Sequence, residues 1–344
     1  MSAFDPNAAA SEDSGIYGLP NTEKDSQVVL IPVPFDATTS YRPGTAKGPK
    51  AILKASKQVD LFDLDTGKPY EAGIFMLPED AKVAEWNKIA RVHAERVIEA
   101  GGLQDERPDL AMAAIETNRY SELVNDYVYA QTKRLLGLKK LVGVVGGDHA
   151  SPFGAIKAVA EAHGGIGVLH LDAHADLRMA YEGFVWSHAS IMHNVCEHIP
   201  DVGKLVQVGI RDFGEQEYEY IRANPERVRT FFDAELKARL DGGESWARLC
   251  REIAETLPQK VFLSFDIDGL EPALCPSTGT PVPGGLRFHE AVALLRAVHA
   301  AKKTIVGLDL NEVAPSPDGK DEWDANVGAR LLYKMIGFAL KAPA

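Results

Sequence analysis

With 344 residues, 45% of them apolar and 25% charged, the chain can fill a sizeable core as one large domain or two, within the composition range of soluble proteins. Its net charge of −12, with no block of Lys or Arg, argues against nucleic acid or an anionic membrane as partner and leaves a small cationic ligand open. Three cysteines without paired spacing suggest neither a disulfide framework nor a thiolate metal site, and no apolar stretch reaches the ~18 residues of a membrane span. The N-terminus lacks a basic segment followed by an apolar one, so a cytoplasmic protein is expected.

Residues 1–26 are rich in Ala, Ser, Asp and Pro and read as a tail, mobile or clasping a partner subunit. Beyond it, short apolar runs alternate with amphipathic segments over 27–344. VVLIPVP (28–34) is a strand and KGPKAILKAS (47–56) opens a helix; the apolar spacing predicts helices over 80–100 and 121–137, with Ser121 as N-cap and Gly137 as stop. LVGVVGG (141–147) is a strand, 151–164 a helix and GIGVLHLD (165–172) a strand. KLVQVGI (204–210), VFLSFDID (261–268) and TIVGLDL (304–310) are further strands, with helices over 244–257, 287–301 and 324–341. Near-continuous Val/Ile/Leu strands interleaved with helices imply a parallel sheet covered on both faces, hence one three-layer α/β/α domain.

In such sheets ligands bind beyond the carboxyl ends of the strands. Four strand exits carry acids or histidines there: GGDH, DAHAD, SFDID and LDLNE. Side chains two apart on a strand share a face, so Asp172, His174 and Asp176 converge, as do Asp266 and Asp268. A single Asp at a strand end is usually a helix cap or turn residue. Six such groups with His149, two of the runs at a spacing of two, are not explained that way. Four carboxylates a few Å apart cannot stay ionised unaided. Two divalent cations would neutralise them and lower the pKa of a water held between them. An oxygen-rich set without thiolate leans towards Mn²⁺, while two imidazoles leave Ni²⁺, Co²⁺ or Zn²⁺ open.

GGDH, DAHAD, SFDIDGLEPALCPSTGTPVPGGL and GLDLNEVAP resemble the ureohydrolase family of arginases, agmatinases and related guanidino-hydrolases, from about residue 28 to the end. The resemblance implies an arginase/deacetylase-like fold with a central eight-stranded parallel sheet. It also implies two Mn²⁺ or Ni²⁺ ions on His149, Asp172, His174, Asp176, Asp266 and Asp268, and hydrolysis of a guanidinium to urea plus an amine. On the same ground Glu312 would hold the guanidinium, and Asp176 would accept a hydrogen bond from the attacking water. His188, twelve residues after Asp176, would carry a proton to the departing amine, and Thr280 would lie near the substrate. One departure is Glu271, where many members have Asp; it lies past the ligands. His163, His170 and His193 gain no support and read as structural. The resemblance further implies a homotrimer or homohexamer, with or without a homologous second subunit, and residues 1–26 and 77–120 are the segments offered for its contacts.

The loop LRMAYEGFVWS (177–187) carries Met179, Tyr181, Phe184 and Trp186. As a lining, with Trp186 on the substrate, these would favour a small guanidine, free or N-alkylated, or a biguanide, by shape and cation–π contact. Equally, they could pack beneath the loop as core. Arg178 would repel the ammonium of agmatine or attract the carboxylate of guanidinobutyrate, and agmatinase or guanidinobutyrase activity is the alternative. A non-catalytic partner subunit, or a one-metal amide hydrolase, is the rival of a different class.

Overall fold

The computed structural model describes residues 4–341. Eight strands are present: β1 (Val28–Val33), β2 (Ile74–Met76), β3 (Leu141–Gly146), β4 (Ile166–Leu171), β5 (Val202–Ile210), β6 (Val228–Phe232), β7 (Lys260–Asp266) and β8 (Thr304–Asn311). They form one sheet in the order β2-β1-β3-β8-β7-β4-β5-β6, and every pairing is parallel. Among the described residues ten α-helices accompany it: α1 (Gly48–Ala55), α2 (Ala81–Glu99), α3 (Pro108–Gly137), α4 (Phe153–His163), α5 (Ile191–His198), α6 (Glu215–Ala223), α7 (Asp233–Asp241), α8 (Trp246–Thr256), α9 (Phe288–Ala300) and α10 (Trp323–Leu340).

The strands bury both faces, and their two-residue period sorts side chains between two cores. Val28 and Leu30 of β1 join α1, α8, α9 and α10 on one side. Val29, Ile31 and Val33 join α2, α3, α4 and α5 on the other. This is the three-layer arrangement that the apolar runs predict. Phe262 and Phe265 of β7 are fully buried on opposite faces, so truncating either to Ala leaves a cavity costing about 3–5 kcal/mol.

The sequence reading of the strands misses β2 and β6, both short edge strands. Helix α3 begins thirteen residues ahead of Ser121, at Pro108, whose fixed φ suits a first turn. Ser121 is therefore no N-cap; it lies inside the helix and its hydroxyl donates to the Thr117 carbonyl at 3.2 Å. The cause is that Leu110, Ala113, Ala114 and Thr117 continue the buried stripe backwards through a stretch of good helix formers. Gly137 is the last residue of α3, and Gly164 ends α4 in the left-handed conformation at φ 63°.

Residues 16–19 depart from the expectation of a tail. Ile16, Tyr17 and Leu19 are buried, the Tyr17 hydroxyl donates to the Ala329 carbonyl at 3.0 Å, and the Tyr17 N–H donates to Ser56 Oγ at 2.9 Å. Among the described residues no helix is long and apolar enough to cross a membrane. The three cysteines are buried and unpaired.

Candidate metal centre

The four strands whose exits carry the acids are neighbours, β3, β8, β7 and β4, so their carboxyl ends open on one patch at the middle of the sheet. His149 follows β3, Glu312 follows β8, Asp266 ends β7 with Asp268 in the 3-10 turn after it, and Asp172, His174 and Asp176 follow β4. The chain turns sharply there: Asp176 and Glu312 hold φ of 54° and 61°, the left-handed region that a non-glycine residue occupies at a cost of about 1–3 kcal/mol.

All six sequence-predicted ligands come together. His149 Nδ1 lies 2.9 Å from Asp172 Oδ2, 3.3 Å from Asp176 Oδ2 and 3.4 Å from Asp266 Oδ2. His174 Nδ1 lies 3.4 Å from Asp172 Oδ1 and 3.2 Å from Asp268 Oδ2. Ligand atoms sharing one ion at ~2.1 Å in octahedral geometry stand roughly 3 Å apart, the spacing seen here. The two groups are joined by Asp172, which turns one oxygen to each. Two adjoining cation positions with a shared carboxylate follow from these distances.

The hydrogen bonds around His149 say which nitrogen is free. Ser264 Oγ donates to Asp309 Oδ1 at 3.1 Å, so its lone pair receives the N–H from His149 Nε2 at 2.9 Å. Nδ1 is left to face three carboxylates: it holds a proton there in the absence of a cation and, on losing it, would offer the lone pair of a metal ligand.

The charges agree. Burial, then repulsion from Asp172, pushes the Asp176 carboxyl up to about 7. Burial, then Asp268 and Asp172, raises Asp266 well above the usual carboxylate range. For His149, burial alone would lower the pKa, but Asp172, Asp176 and Asp266 outweigh it and hold the imidazole well above its ordinary value. Burial is likewise outweighed at His174 by Asp268 and Asp172. At Asp172 the burial penalty yields to His170, His149 and His174, and the carboxyl lies well below its usual range. Protons are thus held in the cluster where cations would otherwise be, which is the behaviour of a donor set suited to divalent ions.

A cavity of about 170 Å³ adjoins this cluster, lined by His174, Asp176, Arg178, Tyr181, His188, Phe213, Glu217 and Thr280 among others. A wider concavity of about 590 Å³ lies elsewhere, and one of about 760 Å³ adjoins this cavity through Arg178 and Glu217, but neither contains a candidate ligand. Donor chemistry, not size, marks the site. Burial, then His174 and His149, pushes His188 down to about 3, and its Nδ1 has no hydrogen-bond partner among the described residues. Thr280 Oγ1 donates to Asp268 Oδ2 at 3.4 Å. Glu312 is buried and is not among the residues that line the cavity: Oε1 accepts the His149 N–H at 2.9 Å, and its carboxyl is raised by burial and by Asp148.

The aromatic loop divides. Tyr181 lines the cavity, with the Arg178 guanidinium 5.0 Å over its ring. Phe184 is fully buried against α2 and α3. Met179 is largely exposed. Trp186 is not at the site: its ring packs on Phe153 at 4.9 Å and its Nε1 donates to Glu122 Oε1 at 3.1 Å. Tyr181 and Phe184 close a tight turn on each other, with Gly183 at φ 95° at its tip, and the chain leaving it runs over α3. Asn118 of α3 fixes that exit by donating to the Gly183 carbonyl and accepting the Val185 N–H. The indole therefore faces the outer helices.

The sequence reading takes His170 as structural. It is fully buried, with Nε2 2.9 Å from Asp172 Oδ2, inside the candidate cluster of His149, Asp172 and Asp176. The signal is the two-residue spacing of Asp172, His174 and Asp176, which extends one step back to it. His163 and His193, on α4 and α5, are in neither candidate cluster, although the His193 N–H donates to the Asp176 carbonyl at 3.0 Å.

A sequence model of the Arginase family matches residues 26–337. The chain is 33% identical, over 94% of its own length and 94% of the relative's, to the N(1)-aminopropylagmatine ureohydrolase of Thermus thermophilus. It is 28% identical to the guanidinobutyrase of Pseudomonas aeruginosa, over 89% of this chain and 84% of that one. The structure of proclavaminate amidino hydrolase from Streptomyces clavuligerus superposes with a TM-score of 0.70 at 28% identity, covering 97% of this chain and all of the other.

Proposed function

This chain belongs to the arginase family and is a ureohydrolase, and on that premise we propose that it hydrolyses a small guanidine, free, N-alkylated or a biguanide, releasing urea and an amine or ammonia. The observation that carries the substrate reading is the size of the cavity beside the acids. At about 170 Å³ it is well below the roughly 300–1,000 Å³ of pockets for drug-sized ligands. A guanidinium with short substituents fits such a space.

Two divalent cations on His149, Asp172, Asp176, Asp266, His174 and Asp268 would supply a water activated at neutral pH. The remaining work is done by side chains. Glu312, fixed through Oε1 to the His149 N–H, offers Oε2 to the planar cation, and a carboxylate facing a guanidinium sets orientation as well as affinity. Asp176 accepts a hydrogen bond from the attacking water. His188, which lines the cavity and is neutral at rest, would take a proton and return it to the departing nitrogen. Thr280, hydrogen-bonded to Asp268, forms part of the cavity wall.

Arg178 argues against agmatine, because its fixed positive charge at the cavity wall would repel the distal ammonium. The same residue supports a second reading, a guanidino acid. Its only ionic partner among the described residues is Glu217, with Nε 3.5 Å from Oε2, so its terminal nitrogens are free to meet a carboxylate. Steady-state urea release from guanidine, a dimethylated guanidine, agmatine and guanidinobutyrate, with Mn²⁺ and Ni²⁺ compared, tests the choice. The small guanidines are expected to have the highest kcat/KM. A tenfold preference for agmatine would defeat the proposal, and a preference for guanidinobutyrate would select the second reading.

A further inference from the structure

Below the candidate ligands, buried polar side chains occupy one register row across β6, β5 and β4. Thr230 pairs with Gln207 and Gln207 with His170, so the three project from the same face at the same height. His170 interrupts an otherwise apolar strand, and Gln207 and His170 are wholly inaccessible to solvent. A buried amide is kept in such a place only where its partners are supplied.

The partners fix the direction of every proton in the row. One Gln207 side-chain atom lies 2.7 Å from the carbonyl oxygen of Ala175, which can only accept, so that atom is the amide nitrogen. The other is then the oxygen, and it receives the Thr230 hydroxyl at 2.8 Å. The amide nitrogen has a second hydrogen, and His170 Nδ1 lies 3.1 Å away. Nδ1 must accept it, so the imidazole proton sits on Nε2 and is donated to Asp172 Oδ2 at 2.9 Å. A single amide thus acts at two points of the DAHAD segment. Through His170 it orients the carboxylate shared between the two cation positions, and through the Ala175 carbonyl it fixes the backbone between His174 and Asp176.

We propose that Gln207 is a positioning residue of the metal centre: its side-chain amide, itself oriented by Thr230, sets the His170 tautomer and braces the segment 172–176, so that Asp172, His174 and Asp176 are preorganised for two cations. This rests on those three residues being ligands, as the proposed function holds. Partners at this remove from a metal typically change its affinity by about 10- to 100-fold when removed.

Two measurements test it, and neither reads catalysis. The first is the imidazole nitrogen–proton correlation spectrum of the unmodified, chelator-treated protein, with the His170 signals assigned by their loss in His170→Asn. An Nε2–H neutral tautomer is expected; an Nδ1–H tautomer overturns the proposal, whether or not the protein hydrolyses any guanidine. The second is calorimetric titration with Mn²⁺. Gln207→Leu, which keeps the volume and removes both hydrogens, is expected to weaken uptake by 10-fold or more. Thr230→Val, which removes only the bond orienting the amide, should show a smaller loss in the same direction. Uptake by Gln207→Leu within threefold of the unmodified protein overturns the proposal. Should that variant not fold, Thr230→Val at unchanged affinity, together with the tautomer, decides it.

Discussion

Glu312 takes a backbone conformation that favours glycine, and does so next to other buried acids. What holds it is the hydrogen bond from the His149 N–H and the one its own carbonyl accepts from Thr278 Oγ1 at 2.8 Å. Glu312→Gln keeps both the shape and an acceptor for His149 but removes the charge that would face a guanidinium. It is expected to lower kcat/KM by at least about 100-fold, near 3 kcal/mol, at unchanged metal content. Trp186→Ala should leave kcat/KM within about twofold, since the indole packs on Phe153 and Glu122 outside the cavity; a tenfold fall would return Trp186 to the substrate. The contrast shows what a sequence can disclose at this scale. Strand-end acids at a spacing of two declare their company, although β4 ends at Leu171 and β7 at Asp266, so that turns rather than strand alternation aim Asp172, His174, Asp176 and Asp268. A tryptophan in a turn does not, because no period says which way a loop side chain points. His170 was hidden differently: inside a strand it reads as a core residue, and only its register with Gln207 shows whom it serves.

Among the elements, the long regular ones were legible and the short ones were not. The six inner strands of the sheet carry enough consecutive Val, Ile and Leu to be read directly, whereas at its edges β2 has three residues and β6 carries Arg229 and Thr230 among its five. The sequence shows only the second half of α3, because a serine followed by an apolar stripe resembles a start, and only packing shows the stripe running back to Leu110. GIYGLP near the N-terminus has no period at all, yet Ile16, Tyr17 and Leu19 are core residues, with the Tyr17 ring 4.8 Å from that of Tyr333. The order there is imposed by α1 and α10, not by local propensity. Deletion of residues 1–14 is therefore expected to change the thermal midpoint little. Extending the deletion through Leu19 removes three buried side chains at about 1.5–3 kcal/mol each and should lower it sharply. Equal melting of the two truncations would show that the contacts of 16–19 add nothing.

For the molecule as a whole, the buried acids couple folding to pH and to divalent ions. Asp176, Asp148 and Asp309 are each pushed up to about 7, first by burial, against about 3.9 for an unfolded Asp. A carboxyl whose folded pKa is raised adds stability that is complete below about pH 4 and is lost as pH climbs through about 7. The raised imidazoles act in the same sense: His149 and His174 contribute fully below about 6.5 and less as pH passes their folded values. Asp172, held low, opposes this only in strong acid, because its contribution is already present above about pH 4. The chelated protein should therefore lose thermal stability steadily from pH 5 to pH 8. Divalent cations take the place of the protons, and their affinity grows as those protons leave, so the gain in thermal midpoint on adding Mn²⁺ should widen over the same interval. Asp176→Asn, which cannot ionise at that position, should flatten the slope of the chelated protein. A midpoint that is level or rising from pH 5 to 8 in chelator, with no gain from Mn²⁺, would mean that the acids neither hold protons nor await cations, and the electrostatic basis of the centre would be gone.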